Sequence, residues 1–344
     1  MKISIIDNTK DFIDLKKSWD SLYLNCNCSI FQSYDFNYNS WKYISSKKLS
    51  ATLSIVTIYV KNELISIFPF YIINKSVRFI NDEHVDFCDI LLLDEYEFNL
   101  DIAINPIISK FRIKSFKFFN LKKNSALLKL NSNIFQYQRK SLSSKFSSIK
   151  IDKGNFPDNC SNLLSKQKYE IRKILKSFNP EHTIMSSEKK DNFPINDIRL
   201  LRDHMIKRKI RNKFFLNDHF LLIVESMYYN NLIDISLLFI KSKVIAISFI
   251  TKYRSKYMFW IDIFDSTKRV NIYNYISFIR HVSSISSVDI NFGRGIYKYK
   301  LINFRPDISN LYSLEIYKNK IDLIIDYFKI KILYMIKRLY KRFK

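Results

Sequence analysis

The spacing of apolar residues along the chain switches between a period of two and a period of three to four, the marks of half-buried strands and amphipathic helices. Lys2 to Ile6 reads as a first strand. Asn8 or Thr9 then caps a helix carrying Phe12, Leu15, Trp19 and Leu22, and Ser33 caps another that turns Phe36 and Trp41 inward. Thr52 to Lys61 and Glu63 to Ile72 alternate as two strands around a Lys61-Asn62 turn, with Pro69 marking an edge or a bulge. Ile113 to Phe119 and Ala126 to Leu130 read as strands, and the Ser- and Lys-rich stretch Arg139 to Pro157 as a connecting loop. A basic helix spans Cys160 to Phe178, and two more helices span Asp197 to Arg211 and Asp218 to Tyr229. A hairpin follows (Ile233 to Lys241, Val244 to Tyr253), then a strand (Lys256 to Phe264), a helix (Val270 to Ser284), a strand at Val288 to Phe292 and a last strand at Ser309 to Tyr317.

One stretch recurs. Val60-Lys61-Asn62-Glu63-Leu64-Ile65-Ser66-Ile67 resembles Ile240-Lys241-Ser242-Lys243-Val244-Ile245-Ala246-Ile247. Each is a strand, a charged two-residue turn and a strand, with two helices before it and strands after it. A repeat of this length points to a duplicated domain. The expected boundaries are residues 1–150 and 151–317.

The tail 318–344 is helical in pattern. Ile321, Ile324, Ile325, Phe328, Ile332, Met335, Ile336, Leu339 and Phe343 fall on one side, and Lys and Arg thicken toward the end. This suits an anionic membrane surface. A final helix packed on the domain, its basic end favoured by the dipole, fits equally.

Composition adjusts this picture modestly. The 344 residues are 47% hydrophobic, enough for two cores, and carry a net charge of +25. That charge permits contact with nucleic acid, anionic lipid or phosphorylated substrates, although an AT-rich codon bias toward Lys accounts for part of it. Cys26, Cys28, Cys88 and Cys160 match no zinc spacing and no disulfide framework, so reduced thiols and no metal are expected. No signal peptide or membrane-spanning run is evident, so a cytoplasmic protein is expected, peripheral on the inner membrane face if the tail binds lipid.

Two of the three glycines, Gly293 and Gly295, flank Arg294 in DINFGRGIYKYK, residues 289–300. A strand ends there, and the bend aims Arg294, Tyr299 and Lys300 into a cleft or forms a basic hairpin turn.

Taken in order, Trp19 and Leu22, Phe31-Gln32-Ser33 with Trp41, Phe68-Pro69, the acidic Asp86 and Asp89, the basic helix, and Asp289-Ile290-Asn291-Phe292-Gly293-Arg294-Gly295 with Tyr299-Lys300 form a set. The set resembles the CelD/BcsL-type acyltransferases of the GNAT superfamily, relatives of the FemAB peptidoglycan aminoacyltransferases, over nearly the whole chain to about Tyr317. The resemblance implies an α/β (α+β) fold of two tandem GNAT-like domains, each a mixed, mostly antiparallel sheet flanked by helices, with the active cleft in the second. It implies an enzyme transferring an acyl group from coenzyme A to an amine, in polysaccharide or cell-envelope synthesis. The acceptor would be a small-molecule or lipid-linked saccharide. Two departures stand out. Ile296 and Tyr297 occupy places where the family carries acids, and Ser266-Thr267-Lys268-Arg269-Val270-Asn271 replaces a Gly-containing turn.

Acyl transfer to an amine needs a proton acceptor, a donor for the oxyanion and cations or helix N-termini for the carrier's phosphates. Ser266, Lys268, Arg269 and Asn271 are the candidates for the pyrophosphate, with an ordinary basic cap as the alternative. Arg294 suits a phosphate or carboxylate, or braces the bend. Asp265, His204, Arg294, Tyr299 and Lys300 form the catalytic set, with Asp262 and His219 also considered as bases. Gly293, Gly295, Asp86, Asp89, Gln32 and Arg172 are the candidates for acceptor binding. The alternatives are a FemAB-like transferase using aminoacyl-tRNA, the one reading that calls for nucleic acid, and a catalytically silent protein binding a membrane or polyanion.

Overall fold

The computed structural model describes residues 1–130, 132, 137–158, 160–177, 179–189, 191–266 and 270–342. The chain divides into two compact units, one of residues 1–28, 32–143 and 311–344, the other of 29–31 and 144–310.

The first unit begins with β1 (Lys2–Ile6), α1 (Thr9–Asp14), α2 (Lys16–Asn25) and α3 (Tyr34–Tyr43). The strands β2 (Thr52–Leu53), β3 (Ile55–Val60), β4 (Glu63–Phe68), β5 (Phe70–Ile73), β6 (Ser76–Phe79) and β7 (Leu91–Leu92) follow. Then come α4 (Asp101–Lys110), β8 (Ser115–Lys122) and α5 (Ala126–Lys129). Asn8 and Ser33 cap α1 and α3 through their side-chain oxygens, as the sequence predicts. β9 (Tyr137–Ile151) gives its first part to this unit and its second part to the other. The second unit continues with α6 (Ser165–Ser177), β10 (Glu181–Met185), α7 (Ile195–Lys207), α8 (Asp218–Tyr229), β11 (Ile233–Ile240), β12 (Lys243–Tyr253), β13 (Lys256–Phe264), α9 (Val270–Ile285), β14 (Val288–Arg294) and α10 (Lys298–Phe304). β15 (Asp307–Tyr317) returns the chain to the first unit, where α11 (Lys320–Arg342) ends it.

The repeated stretch has one geometry in both units. Lys61 and Asn62 take φ of 49° and 66°, and Lys241 and Ser242 take 46° and 61°, the two positive values of a type I′ turn. Each hairpin carries a bulge at the same place, between Ile58 and Tyr59 and between Leu238 and Phe239. The flanking strands repeat too. The order β1-β3-β4-β7 in the first unit matches β10-β11-β12-β13 in the second. Lys2 faces Tyr59 as Glu181 faces Phe239, and Leu92 faces Ser66 as Phe264 faces Ala246. Even a loop bond repeats: Leu93 N donates to Ile65 O, and Asp265 N to Ile245 O, each at the bulge. The fold class is therefore two mixed α/β units, largely antiparallel, with helices flanking the sheets.

Three expectations are corrected. The stretch expected to be a loop at 139–157 holds most of β9, a 15-residue strand. Its second part pairs antiparallel with β14, so ladder hydrogen bonds hold it despite few apolar side chains. Ala126 to Leu130 is not a strand but the short helix α5, because Asp89 gathers its first N–H groups. The Gly-Arg-Gly bend is not a hairpin turn. Gly293 (φ 72°) lies in a bulge of β14 opposite β9, and the chain turns at Gly295 (φ 96°) into α10.

The second unit's core joins sheet and helix through apolar side chains that include Leu238, Ile250, Ile276, Ile279 and Ile290. Among the described residues, no helix is long and apolar enough to cross a membrane.

Candidate functional site

β13 and β14 are parallel neighbours linked by α9, and their pairing covers three positions, from Lys256↔Asp289 to Met258↔Asn291. Beyond these the strands follow different partners. β13 stays on β12 as far as Phe264, and β14 stays on β9 as far as Arg294. A crevice at the carboxyl ends of parallel strands, with a helix starting beside it, is where open α/β sheets take ligands. Buried aromatic rings pack beneath this region: Phe259 stacks on Tyr275 at 3.9 Å, and Phe292 on Phe304 at 4.8 Å.

A chain of polar groups runs through this apolar setting. Ser248 Oγ donates to Asp262 Oδ1 at 2.7 Å, and the Tyr275 hydroxyl donates to Oδ2. Asn274 Nδ2 donates to Ser248 Oγ (3.0 Å) and to the carbonyl of Ser236 (3.1 Å), while Ser236 Oγ donates to Asn274 Oδ1 (2.7 Å). The Ser236 hydroxyl hydrogen is thus committed, so the 2.9 Å contact from His182 Nε2 places the imidazole hydrogen on Nε2. Apart from the second Asn274 hydrogen, which goes back to the Ser236 carbonyl, each donor in the series from His182 to Ser248 points toward Asp262. On the far side the Tyr299 ring lies 6.3 Å from that of Tyr275, whose own hydroxyl hydrogen is spent on Asp262.

Burial pushes the Asp262 carboxyl above its usual range. The Tyr275 and Ser248 hydroxyls and the charges of Lys300 and Arg211 oppose that rise. Burial, followed by the nearby Asp262, raises the phenols of Tyr275 and Tyr299. Burial, followed by the charge of His281, pushes His182 down to about 4. A part-buried carboxylate with a raised pKa, bonded to the Tyr275 hydroxyl and with half-buried Tyr299 beside it, can accept a proton from a group bound there.

The corresponding positions in the first unit, three in strands and the fourth one residue before β7, are apolar. By the matched registers, His182, Ser236, Ser248 and Asp262 correspond to Ile3, Val56, Phe68 and Ile90. The fold therefore does not require the polar chain.

The glycine-rich block supports this site. Lys300 is 3% exposed, its Nζ donating to the carbonyl of Phe292 and standing 4.9 Å from the Tyr297 ring. Tyr297 and Tyr299 stack at 5.9 Å. Gly295 N donates to the carbonyl of Lys145 (2.8 Å), and Gly293 N to Asn291 Oδ1 (2.8 Å). A Cβ on Gly295 would stand 2.9 Å from Tyr297 Cε2. Arg294, at the end of β14, is half-buried.

The other candidates lie as follows. Asp265 and His204 meet, Nε2 to Oδ1 at 3.5 Å, and each is about one-third exposed. Asn271 sits in the first turn of α9, with Ser266 before it, while Lys268 and Arg269 lie outside the described residues. His219 lies in the first turn of α8. Arg172, on α6, pairs with Asp158. In the first unit, Gln32 Nε2 donates to the carbonyl of Phe87 (3.0 Å), and Asp86 is 9% exposed. Asp89 is committed to capping, with Ile90 N, Ser125 Oγ and Leu127 N on one oxygen and Ala126 N on the other.

The sequence reading did not find Tyr275, Asn274, Ser248, Ser236 or His182. A signal existed: Ser236 and Ser248 stand in apolar strands where the repeat has Val56 and Phe68.

No protein-family model and no curated protein matches the sequence. Solved structures match the fold. The C-terminal domain from Agrobacterium fabrum that is named for lysylphosphatidylglycerol synthetase aligns with a TM-score of 0.60 at 10% identity, covering 95% of this chain and 97% of that one. L-PGS from Bacillus licheniformis gives 0.57 at 10% identity, covering 88% and 92%. FemX gives 0.55 at 10% identity, covering 94% and 100%. The chain thus shares the fold of these structures over nearly its whole length.

Proposed function

We propose that the chain is an N-acyltransferase of the CelD/BcsL type, moving an acyl group from acyl-coenzyme A to the amine of an amino sugar or envelope precursor. The reading rests on the Tyr275–Asp262 pair with Tyr299 beside it, near the parting of β13 and β14, in the unit whose counterpart is apolar at the matching positions. The amine nitrogen attacks the thioester carbonyl, a C–N bond forms, the C–S bond breaks and coenzyme A leaves as its thiol. As the ammonium proton moves to the Tyr299 oxygen, the Tyr299 proton passes to Tyr275 and that of Tyr275 to Asp262. One proton can return along the same hydroxyls to the departing thiolate. The relay ends at Asp262, because the Asn274 amide orients the groups behind it and does not pass protons onward.

The start of α9 and Arg294 supply positive potential for the donor's phosphates. The buried ammonium of Lys300 supports the Phe292 carbonyl and stabilises the charged form of Asp262.

Calorimetry with acetyl-coenzyme A and a longer acyl-coenzyme A, followed by thiol release in the presence of amino sugars, tests this. Tyr299→Phe is expected to lower turnover at least ~100-fold with donor affinity kept. Absence of heat with every acyl-coenzyme A would sink the reading. A second reading, an aminoacyl-tRNA donor, is favoured by the likeness to FemX and the charge of +25. A mobility shift with charged tRNA and no acyl-coenzyme A binding would put it in first place.

The tail adds a proposed place of action, the cytoplasmic face of an anionic membrane. α11 is clamped at its start, where Asp326 accepts from Lys117 Nζ (2.6 Å) and from the Tyr317 hydroxyl (2.7 Å). Ile321, Ile324, Ile325, Phe328, Ile332, Met335 and Ile336 remain exposed beside lysines, an apolar stripe of interfacial type. Phe328→Asp with Ile332→Asp should abolish flotation with phosphatidylglycerol vesicles. Unchanged flotation would remove the membrane from the proposal.

A further inference from the structure

A cavity of about 540 Å³ opens on the second unit where α9, β10 and the loop after β9 meet. Lys153, His182, Arg280 and His281 line it with Ser277 and Tyr273, and no carboxylate is among its lining residues. Among the described residues, none of the four basic groups has an ion-pair partner. The wall is fixed in place: Lys153 N donates to Ser287 Oγ (3.0 Å) and Gly154 N to the carbonyl of Ser283 (2.9 Å). Two cations, Lys153 and Arg280, with two imidazoles and the Ser277 and Tyr273 hydroxyls in one wall suit an anion with several acceptor oxygens. The volume leaves room for a small molecule that carries it.

One of these groups does more than line the cavity. His182 is the outer end of the donor series that runs through Ser236, Asn274 and Ser248 to Asp262. We propose that this cavity binds a phosphate-type dianion, free or borne by a small metabolite, and that His182 couples its occupancy to the carboxylate of Asp262. A dianion beside His182 and His281 favours the imidazolium, which strengthens the Nε2 donor to Ser236 and, through aligned dipoles, the donor from Ser248 to Asp262. His182, Ser236 and Asn274 are positioning residues in this scheme. They touch no reacting atom, and the coupling, unlike the binding, rests on the acyl-transfer reading above.

Inorganic phosphate and pyrophosphate are titrated into the full chain by calorimetry, with and without saturating acetyl-coenzyme A. One site is expected in both conditions, with a change in the His182 ring resonances. Arg280→Ala, at an exposed position, is expected to weaken it about tenfold. The binding proposal is overturned by the absence of heat with either anion, by equal affinity in Lys153→Ala/Arg280→Ala, or by competition with acetyl-coenzyme A, which would put the ion in the transfer cleft. Turnover should respond to phosphate in the wild type and not in Ser236→Ala. A response that survives in Ser236→Ala overturns the coupling. Arg280-dependent phosphate binding by a protein without transfer activity would retain the cavity and reject the acyl-transfer reading. Transfer activity without phosphate binding would do the reverse.

Discussion

Asp262 sets burial against charge within one side chain. Its carboxylate keeps two hydroxyl donors, and Tyr275→Phe removes one of them. Loss of a hydrogen bond to a charged group costs about 1.5–3 kcal/mol, so this variant should melt several degrees lower and turn over more slowly. An unchanged melting temperature would show that the Tyr275 hydroxyl contributes little to holding Asp262. At His182 the sign of the pH effect follows from its depressed pKa. The unfolded chain takes up a proton near the ordinary 6.5, whereas the folded protein does so only at about 4. Stability is therefore full above pH 6.5 and falls as the pH drops from 6.5 toward 4, by up to about 3 kcal/mol. His182→Gln should flatten the melting temperature between pH 7 and pH 5, and an equally steep fall in that variant would assign the effect elsewhere. Gly295→Ala sets a Cβ against the Tyr297 ring at a φ that side chains avoid. A loss of about 1–2 kcal/mol is expected, read by denaturant unfolding.

At the scale of elements, legibility followed side-chain periodicity. The two hairpins, α8 and β13 were readable because apolar spacing and turn residues agree in them. β9 was not, because its sequence is largely Ser and Lys and its order comes from hydrogen bonds to strands distant in sequence. α5 was hidden for a similar reason: the carboxylate that starts it lies 37 residues earlier. In the site, Gly293, Gly295, Tyr299 and Lys300 stood out through glycine scarcity. Asn274 and Tyr275 passed as ordinary members of an apolar helix, since contact with Asp262 and Ser248 is not a local property of the chain. β9 itself carries a testable weakness. Ser147 is fully buried with its hydroxyl unpaired, so Ser147→Ala should leave stability unchanged or raise it by about 1 kcal/mol. A marked loss in thermal melting would reveal a partner for that hydroxyl.

Across the whole molecule, one strand plan occurs twice with two interiors, one with Ile3, Val56, Phe68 and Ile90 and one with His182, Ser236, Ser248 and Asp262. Replacing the second pattern by the first should trade activity for stability. The triple variant Ser248→Ala, Asp262→Leu, Tyr275→Phe is expected to melt no lower than the wild type and to transfer nothing. Retained transfer would remove Asp262 from the mechanism. The segments of the two units also interleave along the chain, and this orders events during synthesis. Every segment of the second unit has been synthesised by residue 310, while the first unit still lacks residues 311–317 of β15, which pair with β8 from Leu311↔Lys122 to Tyr317↔Ser115. The half translated first is the half completed last, and until β15 arrives β8 presents an open strand edge for a chaperone to cover.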